Sequence, residues 1–229
     1  MQKQYRLGIP SFITVETEDG SWIGEKDAQK TEKDDVVVTY ETTPEAEEVW
    51  LTADQTKVKT IKFRWNTPVN KKSRILGGSW ERTYGDVDWK GVSGSRFMPW
   101  YFLAAVGETV TGYGVKVRPS AMCFWQADTR GITLVMDVRC GGIGVQLSGR
   151  KLRAAQIVAM QTEGMGTFES AREFCKVMCT DPIFPDYPVY GSNNWYYAYG
   201  DSSEEDPAGY RLYRGTDQRR GQSAVHGDR

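Results

Sequence analysis

Residues 189–200 read VYGSNNWYYAYG, a stretch that is aromatic, rich in asparagine and nearly uncharged. It follows a segment, residues 182–188, that is punctuated by prolines. The stretch opens with the β-formers Val189 and Tyr190 and then passes into residues that stack and form hydrogen bonds. This composition is typical of a buried strand whose C-terminal end opens into a site. Tryptophan and tyrosine rings suit the C–H face of a sugar, and asparagine can both donate hydrogen bonds to hydroxyls and accept them.

The middle of this stretch, Gly191-Ser192-Asn193-Asn194-Trp195, resembles the first barrel strand of the melibiase-like glycoside hydrolases, the α-galactosidase group. In that family the strand reads Gly-aromatic-Asn-Ser-Trp after a proline, so the Asn and the Trp match while the second and fourth positions differ. The resemblance implies that a (β/α)8 barrel begins here and that Asn193, Trp195 and Tyr196 contact the sugar in the parent enzyme. The alternative is a structural strand whose aromatic side chains pack in a core.

Length and charge limit the possible partners. The chain has 229 residues, which is enough for one large or two small domains, and its net charge is −1. We therefore expect no electrostatic attraction to nucleic acid or to a membrane surface. The sequence contains no apolar run of transmembrane length, and its first residues lack a signal-peptide core, so a cytoplasmic location is predicted.

Cysteine and histidine usage restricts the chemistry. The four cysteines, Cys123, Cys140, Cys175 and Cys179, fit no zinc-site spacing, and we interpret them as reduced thiols that fill core space. His226 is the single histidine, which excludes Ser-His-Asp and Cys-His catalysis as well as histidine-rich metal sites. No metal and no cofactor is therefore predicted.

Residues 1–150 are predicted to form an antiparallel β-sandwich, because short strands and turn residues alternate with almost no helical periodicity. The range 56–65 alternates apolar residues with lysines, which indicates a strand with one wet face. The segment 128–131 is predicted as a hairpin connection, and the charged stretch 25–35 as a solvated loop or frayed edge. The other predicted strands are 12–16, 36–40, 79–84, 100–106, 108–117, 121–127, 132–138 and 144–147.

Residues 151–188 are predicted to form a linker that contains a helix, although 153–160 could be one more strand. Thr167 is predicted as the N-cap of the helix, and the pair Asp181-Pro182 is predicted to end it. Apolar residues at steps of three and four indicate that one stripe of the helix packs in a core. The stripe consists of Phe168, Ala171, Phe174, Cys175 and Met178.

The order of sandwich, helix and barrel start, the last over 189–205, is the layout of the resembling family. The resemblance implies that both catalytic carboxylates lie on later barrel strands, so no catalytic residue is assigned in this chain. Asp86, Asp88 and Asp137 are interpreted as solvated turn or edge residues of the sandwich. Trp100, which follows a proline and a glycine-rich turn, is a further sugar-contact candidate facing the barrel mouth. Its alternative role is ordinary core packing.

Residues 206–229 contain no apolar period and read as an aberrant or disordered tail. Their codons, read one base later, can spell EILRDTAYIAELTKGEGNRPYMVID, which would continue a helix and end in a strand-like run. We therefore expect that the chain is a truncated, frameshifted copy of a longer glycosidase-like protein.

Three functions remain open from the sequence. The first is the N-terminal fragment of an α-galactosidase-like hydrolase, whose parent cleaves terminal α-linked sugars without a cofactor and can be oligomeric, while the fragment alone is inactive. The second is a non-catalytic carbohydrate-binding β-sandwich. The third is a structural sandwich that only docks to a partner. Carbohydrate is the expected partner in the first two.

Overall fold

The computed structural model describes residues 2–79, 88–139, 141–188, 191–193, 199 and 225–227. The chain divides into two compact units, Met1–Thr180 and Asp181–Arg229. The first unit is mainly β, with two antiparallel sheets and one helix, which confirms this part of the predicted fold. Its elements are β1 (Gln2–Tyr5), β2 (Phe12–Thr17), β3 (Ser21–Ile23), β4 (Lys30–Lys33), β5 (Val36–Thr42), β6 (Glu47–Ala53), β7 (Val58–Trp65), β8 (Arg74–Gly77), β9 (Lys90–Gly91), β10 (Met98–Pro99), β11 (Tyr101–Val106), β12 (Thr109–Val115), β13 (Met122–Asp128), β14 (Gly131–Asp137), β15 (Leu152–Glu163) and the helix α1 (Thr167–Met178).

The strand β15 organises the larger sheet. That sheet has nine strands in the order β4-β5-β6-β15-β12-β11-β8-β9, with β1 also paired to β15. Along one edge of β15, β6 pairs with the first half and β1 with the second half, while β12 pairs with the opposite edge. The sheet therefore continues past residue 150 as far as Glu163. The smaller sheet has the order β10-β13-β14-β7-β2-β3.

The core lies between the two sheets and is strongly aromatic. On β7, Phe63 and Trp65 are buried while Lys62 and Arg64 on the other face are half-buried, as the predicted wet face requires. The Trp65 ring stacks on the Trp125 ring with 6.1 Å between their centroids. Much of the aromatic content of the chain is therefore explained by core packing.

The predicted hairpin at 128–131 is confirmed. Asp128 and Gly131 form the last pair of β13 and β14, so the loop consists of Thr129 and Arg130. The Asp128 carboxylate accepts hydrogen bonds from the backbone N–H groups of Arg130 and Gly131, at 2.7 and 2.9 Å. A short acidic side chain that bonds to its own turn stabilises the reversal locally.

Other strand predictions need correction. The range 144–147 is not a strand, because only Val145 forms an isolated bridge, with Val58 at the start of β7. The charged stretch 25–35, predicted as a solvated loop or frayed edge, does lie at an edge, because it contains the edge strand β4, whose lysine and glutamate side chains discourage further pairing. Within the predicted strand 79–84, residues 80–84 lie outside the described part of the chain.

Helix α1 differs from its prediction at its start and in its buried face. The N-cap is Gly166, and Thr167 is already the first residue of the helix, so the assignment of the N-cap to Thr167 is wrong. The buried residues are Ser170 and Phe174, whereas Phe168 is 69% exposed. The helix face that packs against the sheet is therefore centred on Ser170 and Phe174 and does not include Phe168. The sheet decides this face, because Phe174 lies over the glycine Gly112 of β12, where no side chain blocks the ring.

The second unit contains a short pair of strands, β16 (Gly191–Asn193) and β17 (Val225–Gly227). They are parallel, with Gly191 opposite Val225 and Asn193 opposite Gly227. The predicted barrel start over 189–205 includes β16, and most of its remaining residues lie outside the described part. Among the described residues, no helix has the length and apolar character needed to cross a membrane.

Candidate functional site

The structure describes one of the four predicted sugar-contact residues in full, namely Trp100. Asn193 lies in β16, where the backbone alone is described, and Trp195 and Tyr196 lie outside the described residues. We therefore build the candidate site from Trp100 and its neighbours in the sandwich.

Trp100 lies at the corner where the chain crosses from one sheet to the other. The two residues before it form β10 of the smaller sheet, and the residues after it form β11 of the larger sheet. Its φ of 68° is in the left-handed region, which costs a residue with a side chain about 1–2 kcal/mol. The indole is 39% exposed. Such strain persists where the surrounding structure fixes the residue, and it often marks functional positions.

Three hydrogen bonds hold the Trp100 backbone in place. Its N–H donates to the carbonyl of Cys123 at 3.1 Å. Its carbonyl accepts hydrogen bonds from the N–H of Val115 at 3.1 Å and from the indole N–H of Trp125 at 3.2 Å. Because these partners lie on β12 and β13, both sheets fix the corner. The partly exposed indole is thus presented on a rigid support.

Further apolar side chains lie on the strands beside Trp100. Phe97 and Met122 are exposed, and the Phe97 ring meets the Phe124 ring edge-on with centroids 5.3 Å apart. β10 pairs with β13 so that Pro99 is opposite Phe124. We call Phe97, Trp100, Met122 and Phe124 the corner patch. Sequence reasoning missed Met122 and Phe124, although the alternation along β13 places them both on its outer face.

Polar side chains lie on the same outer face of the smaller sheet. The Gln126 amide donates to the carbonyl of Gly94 at 2.8 Å. The Arg64 guanidinium donates to Asp128 at 3.0 Å and to the hydroxyl of Thr133 at 3.0 Å. Burial raises the pKa of Asp128, but hydrogen bonds from Arg64 and from the turn backbone lower it by more. The pKa of Asp128 therefore lies below its ordinary value. The outer face of the smaller sheet therefore carries hydrogen-bonded polar groups as well as the apolar side chains of β13.

The acidic residues of this face are not suited to proton donation. The hydrogen bond from Arg139 is the main reason why the pKa of Asp137 is lowered. A general acid in a glycosidase needs a raised pKa, which is the opposite shift. Asp88 is exposed and accepts a hydrogen bond from the N–H of Trp89, and Asp86 lies outside the described residues. Asp88 therefore has the contacts of a turn residue. Asp137 instead ends the interior strand β14, paired with both β13 and β7, so its interpretation as a solvated turn or edge residue is wrong.

The cysteines fall into different environments. Cys123 is fully buried, and burial raises the pKa of its thiol to about 12, so it fills core space as predicted. Cys175 is exposed on α1, so the same prediction is wrong for that residue, and Cys179 is half-buried. Cys140 lies outside the described part. In the part of the chain that the structure describes, no three His, Cys, Asp or Glu residues are grouped to hold a metal ion.

No protein-family model matches this chain, and no curated protein matches it in sequence. Chemically, the corner patch can stack against the apolar face of a ring and offer hydrogen bonds beside it.

Proposed function

We propose that this chain is the N-terminal part of an α-galactosidase-like glycoside hydrolase, whose parent enzyme removes terminal α-linked sugars. The observation that carries the proposal is that Gly191-Ser192-Asn193, the start of the resembling motif, forms a new strand, β16, after the sandwich and α1. This strand pairs in parallel with β17. The strands of both sandwich sheets pair in antiparallel fashion, for example β12 with β15 and β14 with β7. A change to parallel pairing after α1 supports the start of a different architecture.

The spacing of the two parallel strands supports a barrel. Parallel strands need a crossover connection of a dozen or more residues, usually with a helix. About 30 residues separate β16 from β17, which matches the length of one β–helix–β unit. A (β/α)8 barrel begins with such a unit. An antiparallel sandwich strand would instead need only a short hairpin connection.

The shifted reading frame gives independent support. The strand-like Met-Val-Ile-Asp of that frame falls on the codons from His226 onward, and β17 covers Val225–Gly227. In the family, the second barrel strand is a run of this kind that leads into Asp-Asp-Gly-Trp. In the repaired frame, Met-Val-Ile-Asp would replace the residues from His226 onward, so a strand-like run would follow β16 at about the spacing of a second barrel strand.

The residues of the first barrel strand have defined roles in this proposal. Asn193 binds a sugar hydroxyl, Trp195 stacks on the ring, and Tyr196 lines the mouth of the site. The two catalytic carboxylates belong to later barrel strands, as the nucleophile and the general acid of a retaining enzyme or as an acid and base pair. The mechanism requires neither a metal nor an organic cofactor. The present chain alone is therefore expected to be inactive.

The decisive experiment is to sequence the encoding DNA across the codons for Ser203 to Tyr210 and beyond Arg229. We expect that one inserted or deleted base opens a long frame in which Asp-Asp-Gly-Trp follows soon. The repaired protein should hydrolyse 4-nitrophenyl α-galactoside, whereas the 229-residue chain should not. The proposal is wrong if no single-base change extends the frame, or if a folded repaired protein cleaves no α-glycoside.

A second candidate function is glycan binding by the sandwich itself, and the corner patch is the observation that favours it. Trp100 is strained, anchored by both sheets and partly exposed, which is the arrangement of a rigid stacking platform. Phe97 and Met122, which lie near Trp100 in the pairing of β10 with β13, are also exposed. In this function the chain binds sugars without cleaving them.

A glycan-binding screen of the purified chain tests the second function. Replacing Trp100 with Ala should abolish any binding that the screen detects. Trp50→Ala is the matched control, because Trp50 lies on the outer face of the other sheet, with the Lys151 ammonium 4.4 Å from its ring centroid. Equal loss of binding in both variants, or no binding by the intact chain, would contradict this function.

A further inference from the structure

A cleft with a volume of about 270 Å³ opens between the ends of β1 and β6. β6 pairs with β15 as far as Ile157, opposite Glu47, and β1 begins to pair at Ala159, opposite Tyr5. Val158 thus lies between the two strand ends and lines the cleft. We call this space the β1–β6 cleft. Apolar side chains of β15 and α1 form much of its wall.

Glu47 lines the β1–β6 cleft and is only 2% exposed. Its Oε1 accepts a hydrogen bond from the backbone N–H of Gly8 at 2.9 Å. Among residues 5–79, 88–139 and 141–188, no cation forms an ion pair with it. A buried carboxylate without a cation is unfavourable, because it loses its hydration and gains little in return.

Tyr40 is a second buried polar residue close to Glu47. Its hydroxyl is the one buried side-chain oxygen or nitrogen without a hydrogen-bond partner in the described part of the chain. Burial raises the pKa of Tyr40, and the nearby Glu47 carboxylate raises it further. The Tyr40 hydroxyl and the Glu47 carboxylate are therefore close to each other. A buried hydroxyl without a partner beside a buried carboxylate without a cation is a polar pair that calls for an explanation.

Arg6 is the basic residue of the cleft. Its guanidinium donates to the carbonyl of Pro44 at 2.9 Å, and within the described residues it forms no ion pair with Glu47 or another acid. Glu45, the third charged residue of the cleft, already pairs with Lys116 at 3.2 Å. The cleft therefore carries a cation and a buried anion that do not neutralise each other.

We propose that the β1–β6 cleft binds a small zwitterion with an aliphatic body, of the class of the branched-chain α-amino acids. The ammonium group of the ligand binds the Glu47 carboxylate, and its carboxylate binds the Arg6 guanidinium, for which a guanidinium fork is well suited. The aliphatic part contacts Val158, Met160 and Val177. The volume lies below the roughly 300–1,000 Å³ of sites for drug-sized ligands, so the ligand is compact. This proposal is independent of the glycosidase function.

Calorimetric titration of the full chain with L-leucine tests the proposal. We expect saturable binding that weakens about tenfold or more with Glu47→Gln and with Arg6→Gln, which corresponds to one charged contact each. Glu47→Gln keeps an oxygen that can accept the hydrogen bond from Gly8. Lys57→Ala is the control, because Lys57 pairs with Glu18 and neither residue lines the cleft, so the affinity should be unchanged.

Two analogues test the zwitterion requirement. Isoamylamine lacks the carboxylate and 4-methylpentanoate lacks the ammonium group, so each should bind about tenfold more weakly than leucine or worse. The proposal is overturned if the folded chain does not bind leucine, or if either analogue binds as well as leucine. Unchanged affinity in Glu47→Gln, with a native circular dichroism spectrum, would overturn it as well.

Discussion

The ring of Phe174 in α1 lies against the backbone of Gly112 in β12. A β-carbon on this glycine would be only 2.8 Å from the ring, so the contact requires the absence of a side chain. The neighbouring Gly114 has the same relation to Phe174 and to the Met178 sulfur. Beneath the helix, the hydroxyls of Thr162 and Ser170 are 2.7 Å apart and buried. The helix is thus packed onto the larger sheet as part of the first compact unit.

Phe174→Ala should therefore destabilise the sandwich strongly. The Phe174 side chain is completely buried, and loss of a buried aromatic ring costs about 3–5 kcal/mol in the free energy of unfolding. Phe168→Ala is the matched control on the same helix, and it should change that energy by less than about 0.5 kcal/mol because Phe168 is exposed. Urea unfolding followed by circular dichroism measures both. Similar losses in the two variants would contradict this packing.

The sequence predicts the strands that show a clear local pattern. The alternation at 56–65 and the turn residues at 128–131 depend on neighbouring residues, and both β7 and the β13–β14 hairpin are found. The strand β6 begins with Glu47 and Glu48, which do not indicate a buried strand. Glu48 is satisfied by distant partners, since it accepts hydrogen bonds from Arg153 and Gln156 of β15. Local periodicity carries no information about such partners.

The residues of the candidate site, too, could be predicted from the sequence only in part, because their partners are distant in sequence. Trp100 could be selected from its sequence context, but its left-handed backbone follows from a change of sheet between β10 and β11. Met122 and Phe124 join the corner patch through the pairing of β13 with β10. The two charges of the β1–β6 cleft, Arg6 and Glu47, are 41 positions apart, so only the fold brings them to one cleft. The pairing of strands that are distant in sequence therefore determines which residues meet in a site, and the local sequence pattern does not reveal this.

The cysteines should differ in reactivity towards a thiol reagent. Cys175 is exposed and should react first with iodoacetamide in the native chain. Cys123 should react only after unfolding, because it is buried and its pKa is raised to about 12, so almost no thiolate is present at neutral pH. Peptide mass spectrometry after timed labelling measures the order, with Cys175→Ser as the control. Native labelling of Cys123 as fast as Cys175 would contradict its place in the core.

Asp35 should make stability depend on acid pH. Hydrogen bonds from the N–H of Gln55, and from the hydroxyl and N–H of Thr56, hold the pKa of Asp35 at about 2, below its ordinary value of 3.8. Folding therefore favours the ionised form, so its contribution is complete above about pH 5 and is lost as the pH falls towards 2. Because solvent screens this site near the surface, we expect less than about 1 kcal/mol.

The check for Asp35 is a comparison with Asp35→Asn at several pH values. The difference in unfolding free energy between the two proteins should be largest at pH 5 to 7 and should shrink towards pH 2. Glu25→Gln, at an exposed position before β4, is the control and should show no such trend. A difference that stays constant from pH 7 to pH 2 would show that the carboxylate is not stabilised by these hydrogen bonds.

The strain at Trp100 can be measured by comparing two replacements with each other. Both Trp100→Gly and Trp100→Ala remove the indole and its contacts, so both should be less stable than the parent chain. Glycine adopts a φ of 68° without steric cost, whereas alanine keeps the left-handed penalty. Trp100→Gly should therefore be the more stable variant by about 1 kcal/mol, even though glycine gains more conformational entropy in the unfolded chain.

This comparison also decides whether the corner is rigid. The hydrogen bonds from Trp100 to Cys123, and from Val115 and Trp125 to Trp100, involve the Trp100 backbone and remain possible in both variants. If they hold the left-handed conformation, alanine cannot relax and the glycine variant unfolds at higher urea. If the alanine variant is as stable as the glycine variant, the corner relaxes to a negative φ. The indole of the parent chain would then not be held in a fixed position, and the corner patch would lose its support as a stacking platform.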